Sequence, residues 1–375
     1  MKSYKNLYQK LCSFNNLFNA YKKARKGKTK RCYVLEFNKN LKSNLDRLQY
    51  ELKNQTYNPR KLTKFIIRDP KTRKICKADF RDRIVHHTLV NVLQPIYESI
   101  FIYDSYASRK NKGHHKALER FDYFKRKVSN NGKKLKGVKD NNYVCGYVLK
   151  ADIEHYFDNV DHTRLTEIIN KKIKDLNIIW LINQILKNYE TYHTENRKFS
   201  VSQTFGAQKV RDGKGVPLGN YTSQFFANIY LNELDYFVKH KLKAKYYIRY
   251  VDDFVILHNS KEQLAIWKEE IDNFLINELL LCLHLDKSKI IPIHKGAGFV
   301  GFRIFYYYKL LKKSNIKQTK FKLIDWSLNK NSLDKDKLVE KIKGWFAHAK
   351  HGDSYNLRYK LIKEFNKILD LELKL

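Results

Sequence analysis

Three aspartates beside apolar segments are the residues of this chain best suited to chemistry. Asp152 follows the apolar run Tyr143–Leu149, and Asp252 and Asp253 lie within the segment YIRYVDDFVIL. A carboxylate beside a buried strand loses its hydration, and this loss is unfavourable unless a partner compensates for the charge. Lys150 is one candidate partner, and Mg²⁺, which prefers carboxylate and phosphate oxygens, is a better one.

Carboxylates on separate strands supply the geometry that two-metal catalysis requires. Two divalent ions about 4 Å apart activate a 3′-hydroxyl and stabilise the departing pyrophosphate. We therefore expect Asp152, Asp252 and Asp253 to hold two Mg²⁺ ions, for which Mn²⁺ would be a substitute. An isolated Asp-Asp pair is more often a favourable turn dipeptide. The expectation therefore depends on the apolar flanks, the second strand and the charge of the chain.

The net charge of the chain indicates a polyanionic partner. The 375 residues include 75 Lys and Arg against 38 Asp and Glu, a formal net charge of +37. A charge this large repels itself, so we expect a polyanion to relieve it. Nucleic acid bound through its phosphates is the leading candidate, and an anionic membrane surface is the alternative. The charge is spread along the chain instead of being gathered in one amphipathic helix, which disfavours the membrane.

Composition excludes a disordered basic tail, because 43% of the residues are hydrophobic and 14% aromatic. The many Tyr and Phe residues suit stacking on unpaired bases, or they reflect an AT-rich coding sequence. The five cysteines have no metal-ligand spacing, and their odd number argues against a disulfide framework. The N-terminus lacks the apolar run of a signal peptide, and no stretch reaches about 18 apolar residues. A cytoplasmic protein without a membrane segment is expected.

The elements that position the aspartates follow from apolar periodicity. We predict a helical region over residues 1–60, a β-hairpin over 61–80 turning at Asp69-Pro70, a helix over Arg81–Glu98, exposed loops around a short helix over 109–142, a strand ending at Asp152, a helix from His162, loops or a hairpin over 187–215, a helix capped by Thr222 or Ser223, strands over Lys245–Tyr250 and Phe254–His258, a helix over Lys261–Leu280, a strand over Phe299–Tyr308 and a basic helical tail. This order predicts an α+β fold in which helices back a sheet.

Six segments in this order resemble the motifs of reverse transcriptases. They are FRDRIVHHTLVNVLQPIYE (80–98), LKADIEHYFDNVDH (149–162), GVPLGNYTSQFFANIYLNELD (215–235), YVDD (250–253), LHLDKSK (283–289) and FVGF (299–302). The resemblance implies a right-hand polymerase with an antiparallel palm sheet. Its fingers and palm would span residues 61–305 and its helical thumb 306–375, after an N-terminal helical extension over 1–60. The implied partners are template RNA, a primer or cDNA strand and dNTPs.

The same resemblance assigns roles near the catalytic aspartates. Asp152, Asp252 and Asp253 become the metal ligands, with Asp253 the least direct of the three, and Ile153 offers its backbone carbonyl. Phe157 matches the aromatic steric gate that excludes a 2′-hydroxyl, which implies dNTPs over rNTPs. A core aromatic is the alternative for Phe157.

Further residues match positions that contact the incoming nucleotide. Either Arg73 or Lys74 lies where fingers residues grip the triphosphate. Lys287 matches a lysine near the leaving pyrophosphate, with a solvated surface lysine as the alternative. Leu218, Gly219 and Gln224 belong to the loop and helix of motif B.

Motif B departs from the pattern of most reverse transcriptases, which have Gln-Gly followed by Ser-Pro. Here Leu218 replaces the Gln and Gln224 replaces the Pro. This variant resembles the enzymes of diversity-generating retroelements, as do GWFAHAKHGDSYNLR (344–358) and KLLKKSN (309–315). Such enzymes copy a template RNA into cDNA with errors at adenines, aided by a small basic accessory protein. The alternatives are a reverse transcriptase of phage defence and a non-catalytic RNA-binding protein on the same scaffold.

The adjacent histidines and Trp345 are not expected to take part in the chemistry. His86-His87 and His114-His115 are adjacent pairs whose side chains point in different directions on a helix, so chelation by either pair is not expected. We expect Trp345 in the core of the thumb rather than on its surface.

Overall fold

The computed structural model describes residues 2–68, 72–135, 143–197, 213–328, 334–369 and 373, and of 190–197 it describes the backbone alone. The predicted turn at Asp69-Pro70 lies outside these ranges. The chain divides into two compact units. The first comprises Met1–Ser108, Ile153–Lys243 and Glu270–Leu283, and the second comprises Arg109–Asp152, Ala244–Glu269 and His284–Leu375.

Helices contribute more residues than strands to both units. They are α1 (Tyr8–Leu11), α2 (Phe14–Arg25), α3 (Cys32–Lys39), α4 (Leu41–Lys53), α5 (Phe80–Glu98), α6 (His114–Val128), α7 (Tyr156–Asn159), α8 (His162–Asn170), α9 (Leu176–Arg197), α10 (Tyr221–Tyr236), α11 (Lys261–Leu279), α12 (Lys313–Leu328), α13 (Lys335–Ala349) and α14 (Tyr355–Leu369). A π-helical turn, Phe237–Lys241, extends α10. None of the helices in the described ranges combines the length and apolarity needed to cross a bilayer.

Within the described ranges the strands form three antiparallel sheets. They are β1 (Thr63–Ile67), β2 (Arg73–Lys77), β3 (Tyr147–Asp152), β4 (Tyr247–Tyr250), β5 (Asp253–His258), β6 (Lys289–Pro292), β7 (Ala297–Phe299), β8 (Phe302–Ile304) and β9 (Lys309–Leu311). The largest sheet, in the second unit, has the order β4-β5-β3-β6. Helix α6 packs against β4 and β5. Antiparallel strands backed by a helix confirm the predicted α+β class.

The N-terminal region is helical, as predicted, and a buried carboxylate ties its first residues to the start of α9. Helix α4 buries Leu45, Leu48 and Leu52 along one face. Asp175 accepts hydrogen bonds from the backbone N–H groups of Leu7 (2.7 Å) and Tyr8 (2.9 Å). It also accepts from the N–H groups of Asn177 and Ile178 at the start of α9. The Asp175 side chain therefore caps α9 and anchors the segment that contains Leu7 and Tyr8.

Two helices are longer than predicted. Helix α6, predicted as a short helix between exposed loops, has 15 residues, because Leu118, Phe121 and Phe124 recur at helical spacing and are buried. Helix α9 continues to Arg197, through the start of the region predicted as loops or a hairpin. Its buried face extends as far as Tyr189, which carries the helix beyond the obvious apolar stretch.

Two local details of the prediction are also wrong. Helix α10 is capped at Asn220 rather than at Thr222 or Ser223. Thr222 is buried inside the helix with its Oγ1 3.4 Å from Nδ1 of His86. The strand predicted over Phe299–Tyr308 is broken, because Val300 and Gly301 have φ angles of 36° and 93° and turn the chain between β7 and β8.

The C-terminal helices enclose a small core of their own. Helices α12, α13 and α14 bury Leu323, Ile342 and Phe365 together. Trp345 packs against this cluster, and its indole N–H donates to the Asn315 side chain at 3.1 Å. The indole is therefore a core residue, as expected. The boundaries proposed for fingers, palm and thumb stay a prediction.

Replacing Asp175 by alanine should destabilise the first unit. The substitution removes the acceptor of the Leu7, Tyr8 and Asn177 N–H groups, whereas the Ile178 N–H keeps its bond to the backbone carbonyl of residue 175, so we expect a loss of about 2–3 kcal/mol in the free energy of unfolding. Urea denaturation followed by circular dichroism measures it. Asp161→Ala, which removes the cap of α8, is the matched control with an expected loss of about 1 kcal/mol. Equal losses would show that Asp175 is an ordinary cap.

Candidate active site

Two of the three aspartates are direct neighbours across the central sheet. The register of β3 and β5 pairs Asp152 with Asp253. Residues directly opposite each other in an antiparallel pair have Cα atoms about 4.5–5.5 Å apart and side chains on the same face. The strand-end carboxylate therefore faces the hairpin carboxylate, within reach of a shared ligand.

A strained turn carries the third aspartate. Tyr250 pairs with Asp253, which leaves Val251 and Asp252 as a two-residue turn. Val251 has a φ of 58°, a left-handed conformation that is rare for a β-branched residue and costs about 1–3 kcal/mol. The fully buried Arg249 donates from its guanidinium to the Val251 carbonyl at 3.1 Å. The turn is thus held in place from beneath.

Asp253 lies in an environment that opposes its negative charge. Its Oδ1 is inaccessible to solvent and has no hydrogen-bond donor, and the nearest ammonium, Lys150 Nζ, is 3.8 Å away. Burial raises the pKa of Asp253 to about 7; Lys150 and Lys312 oppose the shift, whereas the charges of Asp152 and Asp252 add to it. Without a further cation this carboxyl would be only partly ionised at neutral pH.

Asp152 is held by a set of contacts from the segment before β6. Lys287 Nζ lies 3.1 Å from the Asp152 Oδ2. The buried Ser288 hydroxyl accepts from the Asp152 N–H at 3.3 Å and lies 3.4 Å from its carbonyl oxygen, to which it can donate. The His284 N–H also donates to that carbonyl at 2.8 Å. Sequence reasoning identified Lys287 but missed Ser288, which carries no local signal.

The donor set fits a hard divalent cation, although the side chains are not yet arranged around one. Among the residues that the structure describes, no group of three His, Cys, Asp or Glu side chains is placed to hold a metal ion. Lys287 occupies one oxygen of Asp152, while the Asp253 Oδ1 is a buried acceptor without a donor. Carboxylate oxygens are the ligands that Mg²⁺ prefers. Asp152 and Asp253 would hold the ion, with Asp252 beside them.

In the first unit, a glycine-rich loop, residues 213–219 (GKGVPLG), fixes the backbone of Phe157. The Gly215 N–H donates to the Val160 carbonyl and the Val216 N–H to the Phe157 carbonyl, both at 2.8 Å. His162 Nε2 lies 2.6 Å from the Gly215 oxygen. The half-buried Phe157 ring is therefore carried on a segment tied down at both ends.

Strand β2 docks on the same loop. The Cys76 N–H donates to the Leu218 carbonyl at 2.9 Å. Gly219 has a φ of 117°, and a Cβ atom there would lie 2.6 Å from Ile75 Cγ2 and 3.3 Å from the Cys76 oxygen. Only glycine combines this backbone conformation with so close an approach.

The docking distinguishes Arg73 from Lys74. Both side chains are exposed, but successive residues of a strand point to opposite faces. Arg73 shares its face with Ile75, which contacts Gly219. Arg73 is therefore the one that lies on the side of the glycine-rich loop.

The remaining predicted residues are placed as follows. Leu218 is half-buried, and Gln224 is exposed and accepts a hydrogen bond from the Ser108 hydroxyl at 2.9 Å. Ile153 is buried and bridges to Leu283. Their roles toward a nucleotide stay predictions.

Comparison with known proteins identifies relatives of this chain. Residues 64–304 match the family model described as reverse transcriptase (RNA-dependent DNA polymerase). Protein YkfC of Escherichia coli is 26% identical over 261 residues, which cover 60% of this chain and 61% of YkfC. Group II intron-encoded protein LtrA of Lactococcus lactis subsp. cremoris is 26% identical over 318 residues, covering 68% of this chain and 48% of LtrA. The chain thus spans less than two thirds of either relative.

A solved structure shows weaker similarity. Apo telomerase from Candida tropicalis, truncated from the C-terminal domain, aligns with a TM-score of 0.38 and 14% identity over 70% of this chain and 57% of that chain. A similarity of this size adds nothing to the assignment.

Removing the Lys287 ammonium should strengthen cation binding. In Lys287→Met the Asp152 carboxylate loses its competing partner, so we expect Mn²⁺ to bind roughly fivefold more tightly, the effect of about 1 kcal/mol. Electron paramagnetic resonance of free Mn²⁺ measures the affinity. Lys289→Met, two residues along the chain, is the control and should leave it unchanged. Asp152→Asn should abolish binding, and unaltered Mn²⁺ affinity in that variant would rule out the carboxylate pair as the site.

Proposed function

Because the chain belongs to the reverse transcriptase (RNA-dependent DNA polymerase) family, we propose that it synthesises DNA on an RNA template by extending a primer strand with dNTPs. Its antiparallel sheet and helices have the palm-type polymerase fold of that family. The observation that carries the proposal is the cross-strand pair Asp152 and Asp253 beside the strained Val251-Asp252 turn. A protein that only bound RNA would have no need to bury carboxylates against each other.

In the proposed chemistry, two metal ions and the side chains of this chain have separate roles. Two Mg²⁺ ions, when bound, would activate the primer 3′-hydroxyl and stabilise the departing pyrophosphate. Asp152, Asp252 and Asp253 would hold them. Lys287, which contacts Asp152 in the free protein, would release that carboxylate and place its ammonium against the pyrophosphate.

Nucleotide selection is proposed for residues of the first unit. The Phe157 ring would exclude a ribose 2′-hydroxyl and so favour dNTPs. Arg73, on the face of β2 that meets the glycine-rich loop, would bind the triphosphate, since a guanidinium matches phosphate oxygens in pairs. Gly219 would let the β2 backbone approach the loop closely enough for both groups to act together.

The finer proposal is an error-prone enzyme of a diversity-generating retroelement. Support comes from Leu218, whose apolar side chain cannot hydrogen-bond an incoming nucleotide and so reads the base pair loosely. A template RNA, a cDNA product and a small basic accessory protein would be its partners. A reverse transcriptase of phage defence is the second candidate. The DNA that flanks the gene distinguishes the two candidates, because a pair of repeats that differ at adenines would support the retroelement.

Primer extension tests the polymerase proposal. Wild-type protein with Mg²⁺, dNTPs and a DNA primer on RNA should extend the primer, and Asp252→Ala should lower the rate at least about a hundredfold through loss of metal-borne charge stabilisation. Asp286→Ala, an exposed aspartate close to Lys287 in the chain, should retain the wild-type rate. Equal background synthesis by wild type and Asp252→Ala would favour a non-catalytic RNA-binding protein.

Leu218→Gln tests the origin of the errors. The new amide supplies a hydrogen bond worth about 1 kcal/mol, so misincorporation opposite template adenine should fall about fivefold. Sequencing of cDNA from a defined template gives the frequency at each base. Leu285→Gln, the same substitution at a residue that is 78% exposed, is the matched control. An unchanged adenine error rate in Leu218→Gln would refute this role of Leu218.

A further inference from the structure

Helix α6 of the second unit presents a basic and aromatic outward face. Lys116, Arg120, Tyr123 and Lys127 follow one another at intervals of four, three and four residues, which places them on one side of the helix. Lys116, Tyr123 and Lys127 are exposed and Arg120 is partly exposed. The opposite side of α6 is buried. These side chains therefore contribute to the surface rather than to the core.

Little negative charge offsets these cations. Helix α6 contains two acidic residues, Glu119 and Asp122. Asp122 is paired with the buried Lys125 at 2.7 Å and with Lys309 at 2.5 Å. Glu119 is the acidic residue of α6 that is exposed on this face. The outward face is net positive and suits an anionic polymer.

Tyr123 offers a stacking surface between cations. Its side chain is 49% exposed. The guanidinium carbon of Arg120 lies 5.3 Å and the ammonium of Lys127 5.6 Å from its ring centroid. An exposed ring flanked by cations is the arrangement that binds unpaired nucleotides, with the base on the ring and phosphates on the cations.

Four histidines gather at the first turn of α6. His114 and His115 meet His348 and His351, which lie at the C-terminal end of α13. The ring centroids of His115 and His351 are 3.5 Å apart, and those of His114 and His348 are 5.5 Å apart. His115 Nδ1 is buried and has no hydrogen-bond partner. No local pattern connects these two pairs, which are more than 200 residues apart.

The histidine cluster does not have the geometry of a metal site. Its stacked rings do not converge on one point, and within the described ranges no three-residue metal-binding group exists. Burial and the neighbouring histidines lower the pKa of His114 and of His348. Burial, His115 and the charges of Lys309 and Lys350 also lower the pKa of His351, against the opposing charge of Glu119. In the free protein His114, His348 and His351 therefore resist protonation, and a nearby anion would favour their charged forms.

We propose that the outward face of α6, from the histidine cluster to Lys127, binds an unpaired stretch of the template RNA as a site additional to the catalytic carboxylates. The proposal rests on the proposed function only for the identity of the RNA. Phosphates bind to the lysines and to histidines that take up protons as the RNA binds, while a base stacks on Tyr123. Affinity therefore falls with salt and with rising pH.

The first experiment measures RNA affinity of the full chain by fluorescence anisotropy with a labelled, unstructured 20-nucleotide RNA. Tyr123→Ala with Lys127→Gln removes one stacking ring and one cation, so the affinity should fall about tenfold. The matched control is Tyr50→Ala with Lys53→Gln on α4, where Tyr50 is 68% exposed, and its affinity should stay within about twofold of wild type. Equal losses in the two variants, or no loss in the first, would overturn the proposal.

A second measurement tests the histidines at constant ionic strength. Wild-type affinity for the same RNA should fall about tenfold between pH 6 and pH 8, and His114→Asn with His351→Asn should show less than about a twofold change. An identical pH dependence in both proteins would remove the cluster from the site. Vesicles of equal phosphatidylserine and phosphatidylcholine test the rival surface. A tenfold loss of vesicle binding with unchanged RNA binding in the Tyr123 and Lys127 variant would assign the face to membranes and overturn the proposal.

Primer extension separates this site from the proposed function. On a short primer–template without an unpaired RNA extension, the Tyr123 and Lys127 variant should keep the wild-type rate. If the wild type does not extend the primer but the α6 variant still loses RNA affinity, the polymerase proposal fails and the RNA surface stands. If the wild type extends the primer and the α6 variant binds RNA normally, the surface alone fails.

Discussion

The antiparallel pairing of β3 with β5 places the carboxyl groups of Asp152 and Asp253 side by side. Their mutual repulsion is the constraint that the surrounding residues must offset. Lys287 contacts Asp152 directly, and Lys150 approaches Asp253 from its neighbouring strand. Burial nevertheless raises the pKa of Asp253 to about 7, with Lys150 and Lys312 opposing the shift and the charge of Asp152 adding to it, so the ammonium groups offset this environment only in part. A bound divalent cation would supply the charge that is missing, and this requirement links the sheet register to the proposed chemistry.

The positions of these carboxylates are set by the backbone before any ligand binds. Ser288 and His284 contact the main chain of Asp152, and the buried Arg249 supports the strained turn at Val251. Each contact reaches a peptide group, so the carboxylate oxygens stay available to other partners. The proposed catalytic site needs this kind of rigid support. Two metal ions must be held within a fraction of an ångström of their positions, and mobile side chains cannot hold them so closely.

Apolar periodicity identified the strands around the aspartates and most helices, because both features depend on residues close in sequence. It failed at α6 and α9, whose polar outer faces concealed buried stripes in segments that read as loops. It also misplaced the cap of α10, since the side chain of Asn220 accepts the N–H of Ala78, a residue distant in sequence. In each case packing against another element outweighed local preference.

The sequence by itself determined the acidic motifs, the α+β class and the family, because apolar flanks and motif order are written in consecutive residues. Tertiary structure alone decided that Asp152 faces Asp253, that Ser288 and Arg249 support them, and that Arg73 rather than Lys74 lies toward the glycine-rich loop. It also joined His114 and His115 to His348 in the last turn of α13 and to His351 just after that helix. These contacts depend on strand register and helix packing, which bring together segments too far apart for any local pattern to connect.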